Sequence, residues 1–125
     1  MPLRIRIENP IVYADFEGET TDAEILTEIH RVWADPALPI SFGLLIDVRR
    51  SESLGRRSPE KIQSLVSLLI PYVDRFRRRF AVVVAEDVQF GMVRMAAAFA
   101  DFQHISIEVF RDLDSARAWL DRADS

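Results

Sequence analysis

The chain has 125 residues, of which 49% are hydrophobic and 29% are charged. This balance is typical of one globular domain spanning residues 1–125, and it excludes a disordered tail, a fibre and a disulfide-stapled mini-protein. A net charge of −4 argues against non-specific binding of nucleic acid, and the lack of cysteine excludes thiol catalysis and thiolate metal sites.

The first part of the chain predicts two strands and a helix. Residues 3–8 alternate apolar and polar side chains, which is typical of a half-exposed strand. A proline turn separates them from a second strand at residues 11–17, and so short a link favours an antiparallel pair. Thr21 and Glu24 fit a capping box that begins a helix, and the 3.6-residue apolar period of this helix ends before Pro36.

The middle of the chain predicts a buried strand and a second helix. Residues 42–48 are apolar at nearly every position, which indicates a strand covered on both faces. A polar loop is expected at residues 49–57. Ser58 then caps a helix that has Pro59 at its first position, and Pro71 should kink or end this helix.

The last part of the chain predicts two strands and two helices. Residues 80–85 form a continuous apolar run typical of a buried strand, and residues 88–102 predict a third helix. Residues 105–110 alternate like an edge strand. Asp112 or Asp114 should cap the last helix.

The predicted order is β-β-α-β-α-β-α-β-α, which indicates the α/β class. Right-handed crossovers make the last four strands parallel. We therefore expect a single five-stranded, mostly parallel sheet with an antiparallel N-terminal edge strand and four helices. No apolar run approaches the roughly 20 residues of a membrane span, and we expect a cytoplasmic protein.

Three stretches carry a family resemblance. Residues 107–120, IEVFRDLDSARAWL, resemble the end of small bacterial STAS-like or SpoIIAA-like proteins, which often have a strand, F-R-D-x-x-x-A and then W-L. Residues 90–95 and the Asp47 in the run LIDV are similar to the same group. The resemblance implies a fold related to the anti-sigma-factor antagonists and, more distantly, to the CRAL-TRIO lipid-binding fold.

The antagonists are regulated by phosphorylation of a serine in an Asp-Ser-Ser-Gly motif. The matching residues here, 52–55, read Glu-Ser-Leu-Gly, so leucine stands at the position of the phosphate acceptor. The resemblance therefore implies that this switch is absent at the matching position.

The loop before the second helix is the best candidate for a binding site. It should lie at the carboxyl end of a parallel strand, where open α/β sheets bind ligands, and helix N-termini attract anions. The alternative is a solvated loop whose arginines pair with acidic residues or with a neighbouring subunit. The candidate binding residues are Arg49, Arg50, Ser53, Arg56, Arg57 and Ser58.

The third helix is apolar nearly all round, which predicts burial on most sides. One side should face the sheet. The other side faces an adjacent helix, a second subunit or a hydrophobic ligand. The candidate residues for an interface or an apolar pocket are Phe90, Met92, Met95 and Phe99.

The sequence gives little support for a catalytic, metal or nucleic-acid site. Asp47 could act as a ligand or general base, but such an aspartate more often binds backbone N–H groups. His30 and His104 lack the spacing of metal ligands, so no metal and no cofactor are expected. The basic and aromatic residues 75–80 are better explained as the anchor of a turn than as a nucleic-acid surface.

We therefore predict a non-enzymatic STAS-like regulatory or protein-interaction module that binds a protein partner or forms a homodimer. The alternative is a binder of a lipid-like or other apolar anionic ligand, with the third helix lining a cavity and arginines from residues 49–57 holding the head group. A weaker third possibility is an enzyme that uses Asp47 and the arginine loop.

Overall fold

The computed structural model describes residues 3–8, 10–52 and 58–122. It contains five strands, which are β1 (Leu3–Glu8), β2 (Ile11–Gly18), β3 (Gly43–Ser51), β4 (Arg79–Val83) and β5 (Ser106–Phe110). The helices are α1 (Asp22–Trp33), α2 (Pro59–Leu69), α3 (Asp87–Asp101) and α4 (Leu113–Arg122), and a 3-10 helix spans Ile70–Phe76.

The strands form one sheet in the order β1-β2-β3-β4-β5. β1 and β2 are antiparallel, and the other neighbouring pairs are parallel. This confirms the predicted α/β sheet with its antiparallel N-terminal edge. Because successive right-handed crossovers advance in one direction, they place α1, α2 and α3 on one face of the sheet. Among the described helices, α4 covers the other face.

Alternating side chains of the central strands divide the core into two layers. Val12, Leu44 and Val82 point towards the three helices and join one apolar cluster. Leu45 and Ala81 point the other way and pack with Leu120 of α4 in a second cluster. The sheet is thus covered on both faces, as the uninterrupted apolar runs predicted.

The helix starts also follow the sequence. The Thr21 side chain accepts a hydrogen bond from the backbone N–H of Glu24, which completes the predicted capping box. Ser58 caps α2 in front of Pro59, and α2 ends at Leu69, two residues before Pro71. Asp112, rather than Asp114, accepts the backbone N–H of Ser115 at the start of α4.

The predicted loop at residues 49–57 begins too early. Arg49, Arg50 and Ser51 belong to β3, because Arg50 and Ser51 pair with β2 beyond an irregularity in the register. The backbone N–H of Glu52 also donates to the carbonyl of Gly18, a residue with a positive φ of 65°. Such pairing depends on a distant strand, and local polarity does not reveal it.

Candidate functional site

An apolar cavity of about 150 Å³ lies between the sheet and the helices α1, α2 and α3. Among its described lining residues, only Ser51 and the indole of Trp33 carry polar side-chain atoms. Ile5, Phe16 and Leu65 line the cavity but are only half-buried, so it reaches the protein surface. Engineered apolar cavities of about this volume stay dry and bind benzene or xenon.

The cavity results from the way in which the three helices pack on the sheet. α1 packs against β1, whereas α2 packs against α3. The space over the middle of the sheet is bordered by Ile29 of α1, Leu65 of α2 and Ile46 of β3. Aliphatic walls of this kind exclude water, and they bind a ligand through the hydrophobic effect and dispersion.

A buried amide fixes the position of α3 beside this cavity. Gln89 is 1% exposed. Its Nε2 donates to the carbonyls of Val48 and Ser51, at 2.8 and 3.2 Å. Its Oε1 accepts from the backbone N–H groups of Ala85 and Glu86, at 2.8 and 3.1 Å. Sequence reasoning did not identify this role, although an amide in an otherwise apolar helix was its signal.

The four candidate residues of α3 separate in the structure. Met92 lines the cavity. Phe90 is half-buried beneath the guanidinium of Arg111, which lies 4.9 Å from the ring centre. Phe99 packs against the main core, whereas Met95 is exposed. They therefore form no single interface or pocket.

Within a single copy of the chain, α3 is not buried nearly all round. Its fully buried side chains are Gln89, Val93 and Ala100. Val88, Met95 and Phe102 are exposed on the opposite side. The physical reason is that α3 packs on β5, the edge strand, with α2 beside it.

Of the candidate binding residues, the three that the structure describes do not line the cavity. Arg49 points away from the cavity and pairs with Asp47 on the α4 side of the sheet. Arg50 is exposed and does not line the cavity. The exposed Ser58 caps α2 by accepting the N–H of Lys61 at 3.3 Å. Ser53, Arg56 and Arg57 lie outside the described residues.

Asp47 is held in an ion pair. The carboxylate, 4% exposed, accepts the backbone N–H and Nε of Arg49, both at 3.0 Å, and a terminal N–H at 2.8 Å. Burial alone raises the pKa of Asp47, but the hydrogen bonds and charge of Arg49 outweigh burial and hold that pKa below its ordinary value. A carboxylate stabilised in this way is a weak base.

The basic and aromatic residues 75–80 anchor a turn, as predicted. Phe76 and Phe80 are buried with their ring centres 5.9 Å apart. Arg75 donates to the carbonyl of Pro39 at 2.7 Å, and Arg78 donates to the carbonyl of Gln103 at 2.6 Å. These guanidinium groups satisfy backbone carbonyls of the neighbouring loops.

A similar solved structure identifies the architecture. The crystal structure of an uncharacterised DUF3478 family protein with a SpoIIAA-like fold, from Shewanella loihica PV-4, matches with a TM-score of 0.61. The match covers 94% of this chain and 91% of the other at 18% sequence identity. The fold is SpoIIAA-like. No protein-family model matches the sequence, and no curated protein is significantly similar to it.

Two further observations concern membrane-spanning helices and metal sites. Within the described ranges, no helix is long and apolar enough to cross a membrane, and no three His, Asp or Glu side chains cluster as metal ligands do. Of residues 52–55, which the sequence resemblance matched to the serine motif of the antagonists, residues 53–55 lie outside the described part.

Replacing Arg49 tests the assignment of Asp47. We expect Arg49→Met to lower the free energy of unfolding at pH 7 by roughly 1–3 kcal/mol, because a buried carboxylate loses its partner. Lys61→Met, which removes an exposed charge from α2, is the control and should change it by less than about 0.5 kcal/mol. Urea denaturation measures both.

The pH dependence of the free energy of unfolding tests the same assignment. A depressed pKa of Asp47 stabilises the fold fully above the unfolded value of about 3.9, and this stabilisation is lost as the pH falls through the folded pKa. Without Arg49, burial raises the pKa of Asp47. Protonation of the carboxyl then removes the cost of burying an unpaired charge. The deficit of Arg49→Met relative to wild type should therefore shrink between pH 7 and pH 4.5. A deficit independent of pH would contradict the assignment.

Proposed function

We propose that this chain is a non-enzymatic binding module of the STAS-like type that takes a small apolar or lipid-like molecule into the cavity. The observation that carries the proposal is the lining, which is aliphatic and aromatic on the sheet and on all three helices. Such walls offer a ligand desolvation and close contact. The expected compartment is the cytoplasm.

The size of the cavity sets the expected affinity. A site that accepts a benzene-sized group gains roughly 25 cal/mol for each Å² of apolar surface removed from water. A short acyl chain entering through the open side should bind with a Kd on the order of 0.1–1 mM, which corresponds to about 4–5.5 kcal/mol. This lies within the range of free energy per heavy atom that small ligands reach.

A charged head group is the second part of the proposal. Ser51 lines the cavity at the end of β3, and the chain returns to the cavity wall at Ile62. Arg56 and Arg57 lie between them in the sequence. We infer that these arginines, instead of Arg49, hold an anionic group, since guanidinium binds carboxylate and phosphate through paired hydrogen bonds.

Recognition of a protein partner is the second candidate function. It is favoured by three large apolar side chains that are exposed on α3 and at its C-cap, Val88, Met95 and Phe102. Apolar residues exposed in a group mark interaction surfaces more often than those exposed singly. This function uses the outer side of α3, whereas the cavity uses its inner side.

Filling the cavity tests the first function. Ala96 lines the cavity on α3, so Ala96→Leu should reduce the affinity for octanoate at least tenfold while leaving the protein folded. The matched control is Ala118→Leu, the same change at an exposed position of α4. Isothermal titration calorimetry measures binding, and circular dichroism reports folding. Unchanged binding in Ala96→Leu would place the ligand elsewhere.

The head group is tested by comparing octanoate with 1-octanol, which has the same chain without the charge. We expect the double variant Arg56→Gln/Arg57→Gln to weaken octanoate binding about three- to tenfold and to leave octanol binding unchanged. Equal losses for both ligands would indicate a damaged cavity. No loss for either would assign the head group to other residues.

A further inference from the structure

The exposed side of α3 carries apolar side chains at a spacing of seven residues. Val88, Met95 and Phe102 are 50%, 38% and 84% exposed. Gly91 and Ala98 lie between them on the same side and are also exposed. A side chain built at Gly91 would meet nothing within 4 Å. We call these five residues the α3 stripe.

The α3 stripe has the pattern of one seam of a helix pair. Its members occupy alternating a and d positions of a heptad, with large residues at a and small residues at d. This arrangement does not stabilise a single helix in water. Two helices gain from it, because small residues allow close approach and large residues fill the space beside them.

We propose that the α3 stripe binds a second copy of this chain, with the two α3 helices antiparallel. A twofold axis between Met95 and Ala98 sets Met95 of each copy against Ala98 of the other, and Phe102 against Gly91. Each of these layers then pairs a large side chain with a small one, and Val88 lies beyond the end of the partner helix. A parallel pair would set Gly91 against Gly91 and leave gaps.

Charge supports the same arrangement. Arg94 and Asp101 flank the α3 stripe on one side of the helix, seven residues apart. The proposed twofold axis brings Arg94 of one copy close to Asp101 of the other, twice in the dimer. Arg94 lies over the ring of its own Phe90, 6.0 Å from the ring centre, and Asp101 is exposed. A parallel pair brings no such opposite charges together.

The size of the surface sets the strength of the dimer. α3 has 15 residues, so the seam is about 22 Å long. An interface built on one such helix lies below the roughly 1,200 Å² of a standard complex. We therefore expect reversible association with a Kd of about 10–100 μM.

The inference rests on the second candidate function and is independent of the cavity. The test is sedimentation equilibrium of the full chain from about 2 to about 500 μM, fivefold on either side of the expected range of Kd. Wild type should dimerise, and Met95→Glu should raise the Kd at least tenfold. The matched control is Leu26→Glu, a change on α1 at 36% exposure, which should leave the Kd unchanged. Octanoate binding should be the same in all three proteins, so failure of the dimer is distinguishable from failure of the cavity.

The orientation is tested by reversing the charges. Asp101→Arg should weaken the dimer about three- to tenfold, and the double variant Arg94→Asp/Asp101→Arg should restore it. A wild-type monomer at all concentrations would overturn the proposal, as would a dimer that Met95→Glu leaves intact. A double variant that fails to recover would overturn the antiparallel register. A monomer that instead binds phosphatidylglycerol vesicles through Met95 would assign the α3 stripe to a lipid surface.

Discussion

The buried amide of Gln89 is the interaction on which the functional part of the fold depends. It joins the end of β3 to the turn before α3 through four hydrogen bonds. Each backbone group left unpaired in that position would cost roughly 1–3 kcal/mol. The amide therefore fixes the start of α3 against the sheet, and with it the rotation of α3 about its own axis.

The rotation of α3 about its axis determines which of its side chains line the cavity and which are exposed. Gln89, Val93 and Ala96 follow one another along the inner side, and the last two line the cavity. Val88 and Met95 consequently point outwards. One polar residue thus sets both the wall of a binding cavity and the composition of an exposed surface. Rotation by one residue would bury Val88 and expose the amide.

The two faces of the sheet differ in chemistry. The face under α4 carries the pair Asp47–Arg49 and, next to it, the pair Arg6–Asp15. The face under the three helices is apolar and contains the cavity. The charged pairs lie on the α4 face, whereas the face that contains the cavity has low polarity. An apolar ligand in the cavity therefore displaces little bound water. This separation supports the proposed binding of an apolar ligand.

The sequence was sufficient for most of the fold because the relevant signals are local. Capping at Thr21 and Ser58 and the apolar period of each helix predicted the order of the elements. The extension of β3 to Ser51 was missed because it depends on pairing with β2. The role of Gln89 was missed because its acceptor at Val48 lies 41 positions away. Periodicity shows which side chains point inwards, and only coordinates show that they leave about 150 Å³ unfilled.

We propose that this unfilled space accepts apolar molecules. Diffraction from crystals held under xenon pressure tests it most directly, because xenon occupies apolar cavities without needing a particular polar group. We expect an anomalous peak between the sheet and the helices, in contact with Ile46, Leu65 and Ala96. An empty map in that region, with Met92 and Leu65 packed together across the space, would contradict it.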